Sequence, residues 1–166
     1  MIKTVNFSFS YIEIKKTGDL TRDDSELLES AIKSVRNSYS PYSNFRVGAA
    51  VRLESGVIVT GTNIENAAFP SGICAERNAL GNAVANHPGD IPVAMAIAAG
   101  DENGITDEPV SPCGNCRQVI IEEETRNGKP VKIILGGKGL IRIISKAEDL
   151  LPLSFSRQSL DINSRK

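Results

Sequence analysis

The chain has 166 residues, 40 % of them hydrophobic and 23 % charged, a globular composition that argues against disorder and suffices for one domain without disulfide staples. Lys plus Arg number 19 against 20 for Asp plus Glu, a formal charge of -1, so no basic field is present to hold a polynucleotide backbone. The longest apolar run, Val93 to Ala99, is far short of the roughly 20 residues that cross a bilayer, and the N-terminus lacks the apolar stretch of a signal peptide. A soluble, cytoplasmic protein is expected, with no polynucleotide or membrane partner.

Residues Ile2 to Lys15 are rich in Val, Ile, Phe and Tyr and predict an extended strand or hairpin arm. Its alternation slips phase at Tyr11-Ile12, as at a bulge. Thr21 followed by Asp24 resembles a capping box, and Leu27, Leu28, Ala31, Ile32 and Val35 follow at helical spacing, predicting a helix that runs to about Tyr39 and stops before Pro41. Phe45 to Leu53, a Ser55-Gly56 turn and Val57 to Thr62 predict a hairpin. A loop over Asn63 to Ile73 leads to a helix from Cys74 to Asn86, ended by His87-Pro88-Gly89. Val93 to Ala99 predicts a buried strand, Gly100 to Pro112 a loop, and Gly114 to Thr125 a third helix. Val131 to Leu135 and Leu140 to Ser145 predict two strands around Gly136-Gly-Lys-Gly139, followed by a short helix over Ala147 to Leu151. The order β-α-β-β-α-β-α-β-β describes an α/β domain with a mixed sheet and helices on its faces. The expected divisions are an extended arm over 1–20, one α/β domain over 21–156 and a polar tail over 157–166.

The three cysteines, Cys74, Cys113 and Cys116, carry the chemistry. An odd count without a secretion signal is poor material for a disulfide framework. Cys113 and Cys116 stand in Pro112-Cys-Gly-Asn-Cys116, a gap that lets both sulfurs reach one metal from a turn entering a helix, and Cys74 opens the preceding helix in Cys74-Ala-Glu76. A structural zinc takes four protein ligands, whereas a catalytic one keeps three and a position for water. The one histidine, His87, lies beyond its helix in Asn86-His-Pro-Gly, so an open site with one zinc per chain is expected. Glu76 is then placed to exchange protons with water beside the metal; the alternative is a first-turn glutamate that complements the helix dipole.

Ser40-Pro-Tyr-Ser-Asn-Phe-Arg-Val-Gly-Ala-Ala50, Gly61-Thr-Asn-Ile-Glu-Asn-Ala67, Cys74-Ala-Glu-Arg77 and Ser111-Pro-Cys-Gly-Asn-Cys-Arg-Gln-Val119, with Leu150-Leu-Pro near the C-terminus, resemble cytidine deaminases of the small homotetrameric class. The resemblance spans residues 22 to 156 and leaves the arm outside. It implies a three-layer α/β/α sandwich with a mixed five-stranded sheet, and zinc-dependent hydrolysis of cytidine, with deoxycytidine, to the uridine product and ammonia. It implies Cys74, Cys113 and Cys116 as zinc ligands and Glu76 as the acid/base. It further implies Asn63 and Glu65 at the ribose, Phe45 packed on the pyrimidine, Ala75 offering backbone groups to the base, and Arg77 in contact with the ligand sulfurs. Ala67, Phe69 and Phe155 are implied in pocket completion between subunits of a homotetramer.

Zinc with three thiolates carries a formal negative charge, which two helix N-termini and neighbouring arginines can offset. Arg117 reads equally as such a charge and as a solvated helix arginine. Phe69 stands where many relatives have tyrosine, and Gly81 replaces a large apolar residue of the second helix. Leu80-Gly81 and Glu102-Asn-Gly104 also look like blasticidin S deaminase, so a deaminase of a modified or antibiotic nucleoside is the first alternative and a non-catalytic structural zinc module the second. Gly136-Gly-Lys-Gly139 lacks phosphate-loop spacing, and Ser111 has no nearby histidine in sequence to activate it as a nucleophile.

Overall fold

The computed structural model describes residues 1–15 and 17–160. Its elements are β1 (Ile12–Ile14), α1 (Arg22–Val35), β2 (Arg46–Leu53), β3 (Ile58–Thr62), α2 (Ala75–Asn86), β4 (Pro92–Asp101), β5 (Gly104–Ile105), α3 (Gly114–Asn127), β6 (Lys132–Gly136), β7 (Ile141–Ile144) and a short α4 (Arg157–Leu160), with 3-10 turns between. Of the expected tail, residues 161–166 lie outside the described residues, as does Lys16 of the arm.

The strands form one sheet in the order β1-β7-β6-β4-β2-β3, with β5 added beside β4. Among the named strands of the described residues, only β4 and β6 run parallel, Ala96 facing Ile134. Side-chain alternation divides the core cleanly. Val51, Met95, Ile97, Ile133 and Leu135 face Ala79, Leu80, Ile120 and Ile121 of α2 and α3, while Ala50, Ala94, Ala96, Ala98 and Ile134 face Leu27, Leu28 and Ala31 of α1. The result is the expected three-layer α/β/α arrangement, but the sheet has seven strands rather than five. The arm contributes one of them through Ile12↔Ile143 and Ile14↔Ile141. Pairing begins at Ile12, so the expected bulge at Tyr11-Ile12 does not exist and residues 1–11 add no strand. The other addition is β5. Asp101 accepts the Asn103 N–H at 2.7 Å and Gly104 takes φ +122°, closing a two-residue hairpin where the sequence reading had a loop; the Asn103-Gly104 pair is its signal.

Two glycines set the layer spacing. A Cβ on Gly48 would lie 2.3 Å from the Ala31 carbonyl oxygen, and one on Gly61 would lie 2.3 Å from the Ala79 nitrogen. The backbones of α1 and α2 thus touch the sheet from opposite sides at neighbouring strands. Gly81, by contrast, is exposed with open space around its absent Cβ, so its departure from the family pattern leaves no void in this chain.

α1 opens as expected, the Thr21 hydroxyl accepting the Asp24 N–H at 3.2 Å. It ends at Val35, four residues before Tyr39, because the Tyr39 N–H turns to the Asn63 carbonyl and the Tyr39 carbonyl takes the Glu65 N–H at 2.8 Å. At the other end of the domain, the buried Glu124 carboxylate of α3 accepts the N–H groups of Val131 (2.7 Å), Ala147 (2.6 Å) and Glu148 (2.8 Å). One side chain therefore closes both the entry to β6 and the turn after β7. Truncation by Glu124→Ala leaves these donors unpaired, at about 1–3 kcal/mol for a buried one. Urea unfolding should register a loss of at least ~2 kcal/mol; a loss below ~0.5 kcal/mol would contradict this role.

Candidate active site

The site forms at the C-terminal end of β4. Antiparallel register brings Arg46, at the start of β2, opposite Gly100 of β4, and Gly48 of β2 opposite Thr62 of β3. Asn63 and the N-terminus of α2 therefore arrive at the same end, and α3 begins there after the β5 hairpin. Between Asn63 and α2 the chain makes a loop pinned at its neck: Ile64 and Ile73 exchange backbone hydrogen bonds, both at 3.0 Å. The residue after that neck is Cys74.

Cys74 is the N-cap of α2 and Cys113 the N-cap of α3, neither making a side-chain capping bond. The three sulfurs lie within 4.8 Å of one another, Cys74 Sγ to Cys113 Sγ at 4.0 Å and Cys113 Sγ to Cys116 Sγ at 3.5 Å. Tetrahedral zinc with bonds near 2.3 Å separates its sulfurs by roughly 3.8 Å, so the donor set fits zinc in number, type and spacing. Cys116 is buried, Cys74 half-buried and Cys113 exposed. Burial pushes the Cys116 and Cys74 thiols up. At Cys113 burial acts the same way but is outweighed by the nearby N–H groups of Cys116 and Asn115 and by the neighbouring thiols, which hold it below the ordinary value. His87 is the C-cap of α2, the whole 12-residue helix away from Cys74, roughly 18 Å at 1.5 Å per residue. Among the described residues no fourth Cys, His, Asp or Glu joins the cluster.

Glu76, in the first turn of α2, is 5 % exposed. Burial pushes its carboxyl above the usual range, against hydrogen bonds from its own N–H and the Cys116 thiol. It lines a cavity of about 210 Å³ with Phe45, Val47, Asn63, Cys74, Ala75 and Cys113, among others. An adjoining hollow of about 330 Å³ shares Asn63 and Cys74 and adds Tyr42, Glu65 and Phe69. The ring of Phe69 is 75 % exposed and meets Tyr42 edge-on at 5.8 Å.

Most of the expected residues thus converge, Cys116 through the sulfur cluster alone, whereas Ala67, Arg77 and Phe155 line neither cavity. Phe155 is exposed, its carbonyl held by the Gln118 side chain at 2.8 Å. Arg77, the residue after Glu76 in the first turn of α2, is half-buried and has no hydrogen-bond or ion-pair partner among the described residues. Arg117 is half-buried and makes no bond to sulfur among the described residues. Its guanidinium donates to the carbonyls of Pro112 and Leu150, each at 2.8 Å.

Sequence reasoning missed how the polar groups are held. Asn63 Oδ1 accepts from the Ser38 hydroxyl at 2.6 Å and the Val47 N–H at 2.7 Å, and Nδ2 donates to the Phe45 carbonyl at 2.9 Å. One amide N–H is left for a ligand. Glu65 accepts from the Ser43 hydroxyl and from the Tyr42 N–H at 2.8 Å. The Ser43 bond is the main reason its carboxyl stays below the usual range, with the Tyr42 N–H next. Both bracing serines stand in or beside the Ser40 to Ala50 motif, where nothing in spacing marks them. A larger cavity of about 430 Å³, lined by Glu124, Lys129, Lys146 and Glu148, lies apart from this chemistry, and its lysines are paired with Glu54 and with Glu148 and Asp149.

Comparison with known proteins agrees with this geometry. A family profile, the cytidine and deoxycytidylate deaminase zinc-binding region, matches residues 21–128. The chain is 39 % identical over 140 residues to a cytidine deaminase of Halalkalibacterium halodurans, covering 84 % of this chain and 98 % of the relative. It is 31 % identical over 151 residues to the blasticidin-S deaminase of Bacillus cereus, covering 86 % and 99 %. The crystal structure of cytidine deaminase from Burkholderia pseudomallei superposes with a TM-score of 0.68 at 38 % identity, over 82 % of this chain and 100 % of that one. Three convergent thiols at two helix N-termini, a buried carboxyl beside them and these likenesses have one reading: the chain belongs to the zinc-dependent cytidine and deoxycytidylate deaminase family.

Proposed function

We infer that this chain catalyses hydrolytic deamination of cytidine, and of deoxycytidine, to the uridine product and ammonia, as a step of pyrimidine salvage. The observation that carries the reading is Glu76: a carboxyl buried on the wall of a small cavity, in the turn of α2 that Cys74 caps, beside the convergent sulfurs of Cys74, Cys113 and Cys116. A zinc ion held there supplies Lewis acidity that makes water a nucleophile at neutral pH. Glu76 would take one proton from the attacking water and pass it to N3 of the base, then take the second from the new C4 hydroxyl and pass it to the amino group as the C4–N bond breaks, so that water and cytidine become uridine and ammonia. Burial keeps the carboxyl a good proton carrier by raising its affinity for the proton.

Phe45 packs on the pyrimidine, Ala75 offers its backbone to the base, and the free Asn63 N–H and the Glu65 carboxylate meet the ribose hydroxyls. Arg77 adds positive charge beside the thiolates. No helix of the described residues is long and apolar enough to cross a membrane, and three free thiols suit a reducing cytoplasm.

Replacing Glu76 by Gln should leave zinc content at one per chain, read by atomic emission, and lower kcat by about 10²–10⁴; undiminished turnover would remove the acid/base role. A nucleoside panel addresses the blasticidin alternative, which rests on the 31 % identical relative. Cytidine should be turned over with the higher kcat/KM, and a preference for blasticidin S would reverse the assignment. A structural zinc module would turn over neither.

The assembly we propose is a homotetramer whose pockets are shared. The support is apolar surface: Phe69 at 75 %, Phe155 at 59 % and Leu153 at 104 % exposure in the isolated chain, Phe69 lining the outer hollow, since exposed apolar groups gathered on a surface mark an interface. Light scattering should give four chains, and Phe155→Ala should raise KM for cytidine while zinc content is kept. A fully active monomer would refute the shared pocket.

A further inference from the structure

Of the three sulfurs, Cys113 is the least secured by its own element. Cys116 is buried within the first turn of α3, and Cys74 follows directly on the Ile64–Ile73 neck. Cys113 is exposed and precedes its helix, at the end of an irregular run from Thr106 to Pro112. Its place is set by the backbone of that run. Gly137 lets one end pack closely, a Cβ there meeting the Asp107 carbonyl oxygen at 2.4 Å. At the other end the Pro112 carbonyl accepts from Arg117 Nε at 2.8 Å, while Nη1 of the same guanidinium reaches the Leu150 carbonyl at 2.8 Å.

We propose that Arg117 is a positioning residue for the zinc ligand Cys113, its planar fork tying the peptide before that cysteine to the end of the Ala147–Leu150 turn. Two donors in fixed relative geometry hold two carbonyls at a fixed separation, which a lysine ammonium, a point charge on a flexible stem, does not do. The bonds run to backbone oxygens and not to sulfur, so the guanidinium acts through the peptide and not as a counter-charge to the thiolates. The same fork joins the metal turn to the segment that leads, through Leu151 to Ser154, to Phe155. Gln118, the next residue of α3, holds the Phe155 carbonyl at 2.8 Å, so adjacent side chains grip both ends of that segment. The inference rests on the zinc assignment of the three thiols and is independent of the substrate.

Cobalt(II) in place of zinc reports thiolate geometry through its visible and charge-transfer bands, and transfer of zinc to a chelator reports how firmly the ligands are held. The first variant, Arg117→Lys, keeps the charge and loses the fork. The second, Arg117→citrulline, keeps both N–H donors and loses the charge; because residue 116 is cysteine, it can be made by ligating a synthetic 116–166 peptide at Cys116. With folding checked by circular dichroism, Arg117→Lys should shift the cobalt bands and release zinc at least about tenfold faster, within the 10–100-fold range for groups that orient metal ligands. Arg117→citrulline should match the parent in both. Any other pattern overturns the proposal: a parent-like lysine variant with a shifted citrulline variant assigns Arg117 an electrostatic role, and two parent-like or two shifted variants deny the fork. Should Arg117→Lys not fold, Arg117→Gln takes its place with the same outcomes. A parent chain that binds no cobalt would defeat the zinc assignment itself, a result distinct from any of these.

Discussion

Contact between the α2 backbone and the β3 backbone at Gly61 is the constraint from which the site follows. Any side chain at that position would overlap the Ala79 nitrogen and the Ala75 carbonyl, so α2 can lie this close only over a strand that presents no Cβ. Gly48, one strand over and facing the other way, gives α1 the same approach, with Ala31 and Val35 in contact range. With the helix axis fixed to the sheet at one point, the first turn of α2 is carried to the end of β3, beside Asn63. Cys74, Ala75 and Glu76 have few other places to be. Small residues, more than large apolar ones, set this geometry: the α1 face of β4 is Ala94, Ala96 and Ala98, all buried.

Around that fixed point, the loops of the site are held by side chains that bond to backbone. Asn63 binds the start of β2 through Val47 and Phe45, Glu65 binds the turn at Tyr42, and Arg117 binds the cysteine turn. Loops cannot satisfy their own peptide groups as helices and strands do, and a buried unpaired group is costly. A polar side chain in each loop or at its flank supplies the missing partner and fixes the loop's shape at the same time. Among the described residues no buried side-chain nitrogen or oxygen lacks a partner, which makes the cavity walls stiff before any ligand arrives. A pre-formed pocket spares ligand binding the entropy of ordering its walls.

The local signals in the sequence were readable where chemistry and secondary structure coincide. The two cysteine motifs sit at helix N-termini because Pro112 and the Pro70-Ser71-Gly72 turn interrupt what precedes them, and the exclusion of His87 needed only the length of its helix. The layers followed from hydrophobic periodicity. What stayed hidden is long-range. Helical spacing in α1 continues past Val35 to Tyr39, and only the Asn63 carbonyl, 24 residues later in sequence, pulls Tyr39 out of the helix. Arg117 looks the same in sequence whether it faces water, sulfur or carbonyl oxygen, since the distinction depends on where Leu150 returns. The Glu124 hub is equally invisible, a glutamate in a helix that holds three peptides from elsewhere. The β5 hairpin was legible in Asn103-Gly104 and was obscured by the short strands around it.

Charge explains why the site is built on helix N-termini at all. Three thiolates outweigh a divalent cation, and Glu76 adds a further acid in the same buried volume. Each helix N-terminus contributes about half a positive charge together with free N–H donors, and α2 and α3 bring two of them to the cluster. That contribution comes from backbone already required by the fold, so it needs no mobile side chain near the substrate. It is also felt unevenly. Cys113, near the Asn115 and Cys116 N–H groups, is the thiol held below its ordinary value, whereas burial pushes Cys116 the other way. The most easily ionised sulfur is therefore the most exposed one, and it belongs to the turn that Arg117 grips. Cys113 precedes its helix, so its direction depends on the peptide before it, whose carbonyl accepts from Arg117.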